Sequence, residues 1–108
     1  MNNQKLIGFC GVDSGQILLT DPCYLSNWKD DEPFKKNKKK TKGNYSYSGA
    51  CDITCDDNQA GQLKNENGAQ VGVVATTGLG DGVYPVYAEY QNEGEFGKRI
   101  KSLTIKFL

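Results

Sequence analysis

Turn-forming residues punctuate this chain so closely that apolar residues nowhere recur at helical spacing over three turns. Its thirteen glycines fall mostly between short runs that are either apolar or strictly alternating. This pattern predicts an all-β fold: a small antiparallel sandwich or partly open barrel of about seven to eight strands. At most one short helix is expected, near Asp56 to Gln62. A length of 108 residues supplies one core, and a single β domain over residues 1–108 is expected.

Individual strands follow from the same pattern. Leu6 to Val12 and Gln16 to Thr20 flank the turn sequence Asp13-Ser14-Gly15 and read as a β-hairpin. Asp21-Pro22 ends the second strand, because proline has no N–H to donate and holds its predecessor extended. Asn44 to Thr54 places Tyr45, Tyr47, Gly49, Cys51 and Ile53 at a two-residue period and reads as a strand with one wet face. Asn65-Glu66-Asn67-Gly68 is a hairpin tip, since Asn-Gly tolerates positive φ. Val71 to Thr77 has little polar alternation and reads as a central strand. Gly78 to Gly82 reads as a hairpin turn, and Val83 to Gln91 with Arg99 to Phe107 as a terminal pair.

Charge narrows the function classes. Thirteen basic residues balance thirteen acidic ones, which argues against a long nucleic-acid partner. No apolar run is long enough to cross a bilayer, so no membrane partner is expected. The run after Met1-Asn2-Asn3-Gln4-Lys5 is too short for a signal peptide, and cytoplasmic residence is expected. Seven of the basic residues lie between Lys29 and Lys42, read as an exposed lysine-rich loop at about 29–44. The plain role of such a run is solvation; the sharper one is positive potential above an anion site. Cys10, Cys23, Cys51 and Cys55 lack zinc-knuckle spacing, so no metal is expected and buried free thiols are the reading.

Candidates for chemistry are defined as much by absence. There is no histidine, and no nucleophile elbow, P-loop or zinc-protease helix appears. Asp13, Asp21, Asp52 and Asp81 sit beside turns, where aspartate commonly caps amides. The expectation is a binding protein without cofactor, not an enzyme. Gly78-Leu79-Gly80-Asp81-Gly82 looks like a phosphate loop but precedes a strand rather than a helix, so it is a turn first and a pocket wall second. Tyr24, Trp28, Tyr45, Tyr47, Tyr84, Tyr87 and Tyr90 exceed what a small core needs. Aromatic planes with lysines nearby suit stacked bases and phosphates, although tyrosines also decorate many exposed sheets.

Two segments together, Val12-Asp13-Ser14-Gly15-Gln16 leading into Asp21-Pro22-Cys23-Tyr24, and Gly80-Asp81-Gly82-Val83-Tyr84-Pro85-Val86-Tyr87, carry a resemblance. The chain resembles a family of small bacterial and bacteriophage proteins of unassigned function with a Gly-Asp-Gly motif. It is similar in this respect to phage anti-CBASS sponges, which sequester cyclic nucleotide messengers and work as oligomers. The resemblance implies immune evasion by binding a cyclic dinucleotide or related cyclic oligonucleotide without cleaving it, as a homo-oligomer (dimer or tetramer). A sponge of that kind needs stacking aromatics and phosphate-facing groups, and Tyr24, Trp28, Tyr45, Tyr47, Tyr84, Tyr87, Gly80 and Arg99 are the ligand-binding candidates compatible with it. Asp21 or Asp81 would accept from a guanine edge, and Thr76 and Thr77 would donate to phosphate oxygens. A structural or protein-interaction module, such as a small virion component, is the competing reading, and a phosphodiesterase-like hydrolase the third.

Overall fold

The computed structural model describes residues 4–29 and 43–108. The elements run β1 (Gln4–Val12), β2 (Gln16–Thr20), a 3-10 turn (Pro22–Asn27), α1 (Tyr47–Thr54), β3 (Ala60–Lys64), β4 (Gln70–Thr76), β5 (Gly82–Asn92), a second 3-10 turn (Gly94–Phe96) and β6 (Lys98–Ile105). The fold is mostly β, in two antiparallel sheets ordered β1-β5-β6 and β2-β4-β3, neither closed into a barrel. Six strands form among the described residues, fewer than the seven to eight expected. The lysine-rich run falls, from residue 30 to residue 42, outside the described residues. No described helix is long and apolar enough to cross a membrane.

The chain divides into two compact units, one of residues 16–76 and one of the segments flanking them. In the contiguous unit, β4 lies between β2 and β3, as its apolar run predicts. The β3–β4 turn forms at Asn65 to Gly68: Gly68 takes φ 80°, and the Asn65 carboxamide oxygen accepts from Asn67 N and Ala69 N, both at 3.0 Å. Leu63 is fully buried among Tyr45, Ala50, Val71 and Val74, with Leu18, Trp28 and Ile53 packed on this core. A Cβ on Gly72 would stand 3.1 Å from Leu18 Cδ1 and 3.3 Å from Tyr45 Cε1, so glycine there lets the Tyr45 ring lie close on β4.

Two expectations fail in this unit. The stretch read as a strand over 44–54 forms α1 instead, and Asp56 to Gln62, read as the possible helix, runs into β3. The cause is local. Ser46 is extended, and its Oγ accepts from Gly49 N at 2.9 Å, an N-cap that starts the helix. Small residues at Gly49 and Ala50 then pack into the core side, and both are buried.

The other unit holds β1, β5 and β6. Leu6 pairs with Tyr87, Phe9 with Pro85 and Gly11 with Val83, so these residues share one face of the sheet. Ala88 and Val12, on the opposite face, are buried. β5 and β6 pair as expected. β1 and β2, however, do not form a hairpin, because β1 pairs with β5 and β2 with β4. Gly78 to Gly82 likewise joins strands of different sheets and is not a hairpin turn. Gly78 has φ 52°, and a Cβ there would meet Phe107 Cβ at 2.9 Å and Phe107 O at 3.0 Å. The four cysteines are free, but Cys10 and Cys51 are half-buried and Cys23 and Cys55 exposed, so the reading of them as buried thiols is corrected. Desolvation first, then the Asp21 carboxylate, push the Cys23 thiol above its usual value.

Candidate ligand-binding cleft

A cleft of about 430 Å³ opens in the contiguous unit. Its walls come from three places in the sequence: Ser26 to Lys29, Asn44 with Tyr45, and Lys64 to Asn67. Each has a local cause. Asp21 caps the first 3-10 turn, accepting from Cys23 N at 3.0 Å, and Pro22 fits the first turn position, where no N–H is needed. Trp28 N closes that turn on Leu25 O at 3.2 Å, which leaves Trp28 at the rim. Residues 43–46 then run between the other two walls. Tyr45 N donates to Lys64 O (3.1 Å), Lys64 N to Gly43 O (2.8 Å) and Lys29 N to Tyr45 O (3.4 Å).

The aromatic part of the cleft is a supported pair. Trp28 and Tyr45 meet edge to face, 5.1 Å between centroids at 84°. Tyr45 is itself buried, and its hydroxyl lies 2.8 Å from Thr20 Oγ1, which donates to Val71 O at 2.7 Å. Tyr45 therefore backs the half-buried Trp28, and Trp28 is the ring with a surface to offer. The polar part is lined by Lys29 and Lys64 with Asn27, Asn44, Asn65 and Asn67, the Asn65 carboxamide oxygen being already engaged by Asn67 N and Ala69 N. Lys29 Nζ pairs with Glu66 Oε1 at 2.5 Å, and this hydrogen bond, with the charge behind it, holds the Glu66 carboxyl below its usual value. An exposed pair of this kind adds little to stability. Its consequence is local: among the described residues of the cleft, the Glu66 carboxylate occupies an ammonium group that an anion would also seek.

Of the residues expected to bind ligand, the structure brings Trp28 and Tyr45 into the cleft. Asp21 and Tyr24 belong to the turn that leads to it, Asp21 as its cap and Tyr24 partly exposed. Tyr47 opens α1 and is exposed, so it does not share a strand face with Tyr45. Thr76 donates to Gln59 Oε1 at 3.0 Å.

Thr77, Gly80, Asp81, Tyr84, Tyr87 and Arg99 belong to the other unit, and none lines the cleft. Thr77, expected to face a phosphate, is fully buried and donates to Gly80 O at 2.7 Å. The Tyr84 hydroxyl lies within hydrogen-bond reach of Thr77 O and Gly80 O, and its ring meets Phe107 edge to face at 5.5 Å. These contacts hold the glycine turn closed. Asp81 is exposed on it. Tyr87 lies under Lys106 Nζ at 5.1 Å, a cation–π contact. Arg99 lines an open depression with Glu93 and Phe96.

Lys64, Asn44, Asn65, Glu66 and Asn67 were not anticipated, and Lys29 was expected only as the start of the lysine-rich run. Asn65 to Gly68 carried a turn signal that masked the second use of its side chains. Among the described residues, no three His, Cys, Asp or Glu side chains are placed to share a metal ion.

The chain belongs to DUF4241, a family of proteins of unknown function, whose family model matches residues 1–98. No curated protein and no solved structure matches it.

Proposed function

We propose that the protein is a binding protein that captures a nucleotide-type anion in this cleft and releases it chemically unchanged. The supporting observation is the composition of one recess: an indole backed by Tyr45, two lysines and four asparagines. A base stacks on Trp28, phosphate oxygens take Lys29 and Lys64, and carboxamides read the base edge. A volume of about 430 Å³ lies within the usual range for small-ligand sites. The resemblance to phage sponge proteins supplies the narrower class, a cyclic oligonucleotide messenger removed from the host cytoplasm. Lack of histidine fits a site that holds such a ligand without a general base near neutral pH.

Trp28 is the only tryptophan, so its fluorescence reports on the cleft directly. Titration with cyclic di- and trinucleotides, mononucleotides and inorganic phosphate should quench or shift it with at least one cyclic nucleotide. Ligand recovered after denaturation should be intact. Trp28→Ala should weaken binding by about 1–3 kcal/mol, the usual worth of one stacked base. Glu66→Gln should tighten binding by removing the carboxylate that competes with an anion for Lys29. Silence across the panel would sink the reading, and linear products would make the protein an enzyme.

A further inference from the structure

We propose that two copies of this chain associate through β1, by antiparallel pairing of its free edge with that of a second copy about a two-fold axis. β1 is bonded along one side only, to β5, so its other row of backbone N–H and C=O groups meets no strand among the described residues. An open edge of this kind is a template for another strand.

The two outer strands of this sheet differ in what guards them. β6 carries Lys98, Arg99 and Lys101 within four residues. Charges in that density are how edge strands repel a second sheet. β1 carries one charge, Lys5, near its start, followed by Leu6-Ile7-Gly8-Phe9-Cys10-Gly11-Val12 with no proline. Leu6, Ile7 and Phe9 are 45%, 50% and 66% exposed, large apolar side chains left in water along the unguarded edge.

The charge pattern selects a second copy as the occupant. A two-fold axis near Phe9 sets the apolar run against itself. The two Lys5 side chains then lie eight residues apart along the strand direction, roughly 26 Å at about 3.3 Å per residue. That exceeds the screening length of about 8 Å at physiological salt, so they do not oppose pairing. The same operation on β6 would set Lys101 beside the Lys101 of the second copy, a like-charge contact that disfavours it. A two-fold perpendicular to the sheet also keeps equivalent faces together. Phe9 then gains a cross-strand aromatic neighbour in the second copy, where at present it is mostly in water.

Sedimentation equilibrium across a wide concentration range tests this on the full chain. The mass should rise from 11.9 kDa towards twice that value. Phe9→Lys and Ile7→Lys, both at exposed positions, should hold it at the single-chain value with an unchanged circular dichroism spectrum. Ile100→Lys, on the guarded edge, should leave the association intact. Hydrogen exchange of the wild type should show β1 amides gaining protection as concentration rises. A single-chain mass at every concentration would overturn the proposal, as would dissociation by Ile100→Lys but not by Phe9→Lys. Concentration-independent exchange of β1 would also overturn it.

Discussion

Tyr45→Phe and Thr20→Val remove neighbouring members of one hydrogen-bond chain, and the structure predicts that they cost different amounts. Thr20 has one hydroxyl proton, and it goes to Val71 O at 2.7 Å, because a carbonyl can only accept. The Tyr45 hydroxyl, 2.8 Å from Thr20 Oγ1, must then be the donor in that pair. Tyr45→Phe removes the terminal donor and leaves Thr20 still bonded to Val71. Its expected cost is that of one hydrogen bond, about 1 kcal/mol. Thr20→Val removes the middle of the chain and strands the hydroxyl of a tyrosine only 4% exposed. A buried donor without an acceptor costs about 1–3 kcal/mol, so the total should reach about 2–3 kcal/mol. The double variant has no stranded hydroxyl and should be no less stable than Thr20→Val alone. The effects should therefore be non-additive, with a coupling energy of about 1 kcal/mol or more. Thr20→Ser keeps the chain and should stay close to wild type. Urea unfolding followed by Trp28 fluorescence suits the measurement, since that indole packs on Tyr45. Additivity within about 0.3–0.5 kcal/mol, or a larger cost for Tyr45→Phe than for Thr20→Val, would refute the assigned direction of donation.

Leu63→Ala should destabilise the protein by about 3 kcal/mol, because it empties the centre of a core in which Leu63 has no exposed surface. Urea unfolding should show a lower midpoint with an unchanged slope, and a loss below about 1 kcal/mol would contradict the packing described. The Glu66 carboxyl should titrate below the usual glutamate range by NMR and return to that range in Lys29→Met. Since its value is lowered in the folded state, the pair's contribution is present above the ordinary glutamate pKa and fades as pH falls through the lowered one.

Period-two patterns were legible where they met no competing local signal. Ser102 to Phe107 alternates cleanly and β6 follows it as far as Ile105; Val71 to Thr76 is nearly all apolar or small and β4 is central. The same period misled over 45–53. There Tyr45, Tyr47, Gly49, Cys51 and Ile53 imitate a strand, yet Ser46 caps a helix one residue after Tyr45. A single capping hydrogen bond and the packing of small residues outweigh an alternation that carries no energy until a sheet exists to receive it.

Strand partners were less legible than strands. Asp13-Ser14-Gly15 turns the chain, but nothing in those three residues says that β1 must wait for β5. The cleft was half legible: Trp28 and Tyr45 were found as aromatics. Lys64 and Asn65 to Asn67 come near Lys29 only through backbone pairing of residues 43–46, which local sequence does not reveal. The Gly-Asp-Gly segment, conspicuous in the sequence, serves first to close its own turn through Thr77 and Tyr84.

The pairing of β1 with β5 also orders events during synthesis. Residues 16–76 form a contiguous unit whose first and last strands, β2 and β4, are partners with Gln16 opposite Thr76. Everything that unit needs has been translated before Gly82 begins β5. β1, finished at Val12, must wait about 70 residues until Gly82 begins its partner, roughly 4–14 s at translation speeds of about 5–20 residues per second. Through that interval its apolar run is left unpaired even along the edge that β5 later covers. Polysomes carrying several such chains would then hold unpaired copies of β1 close to one another, before any finished molecule exists to compete for them.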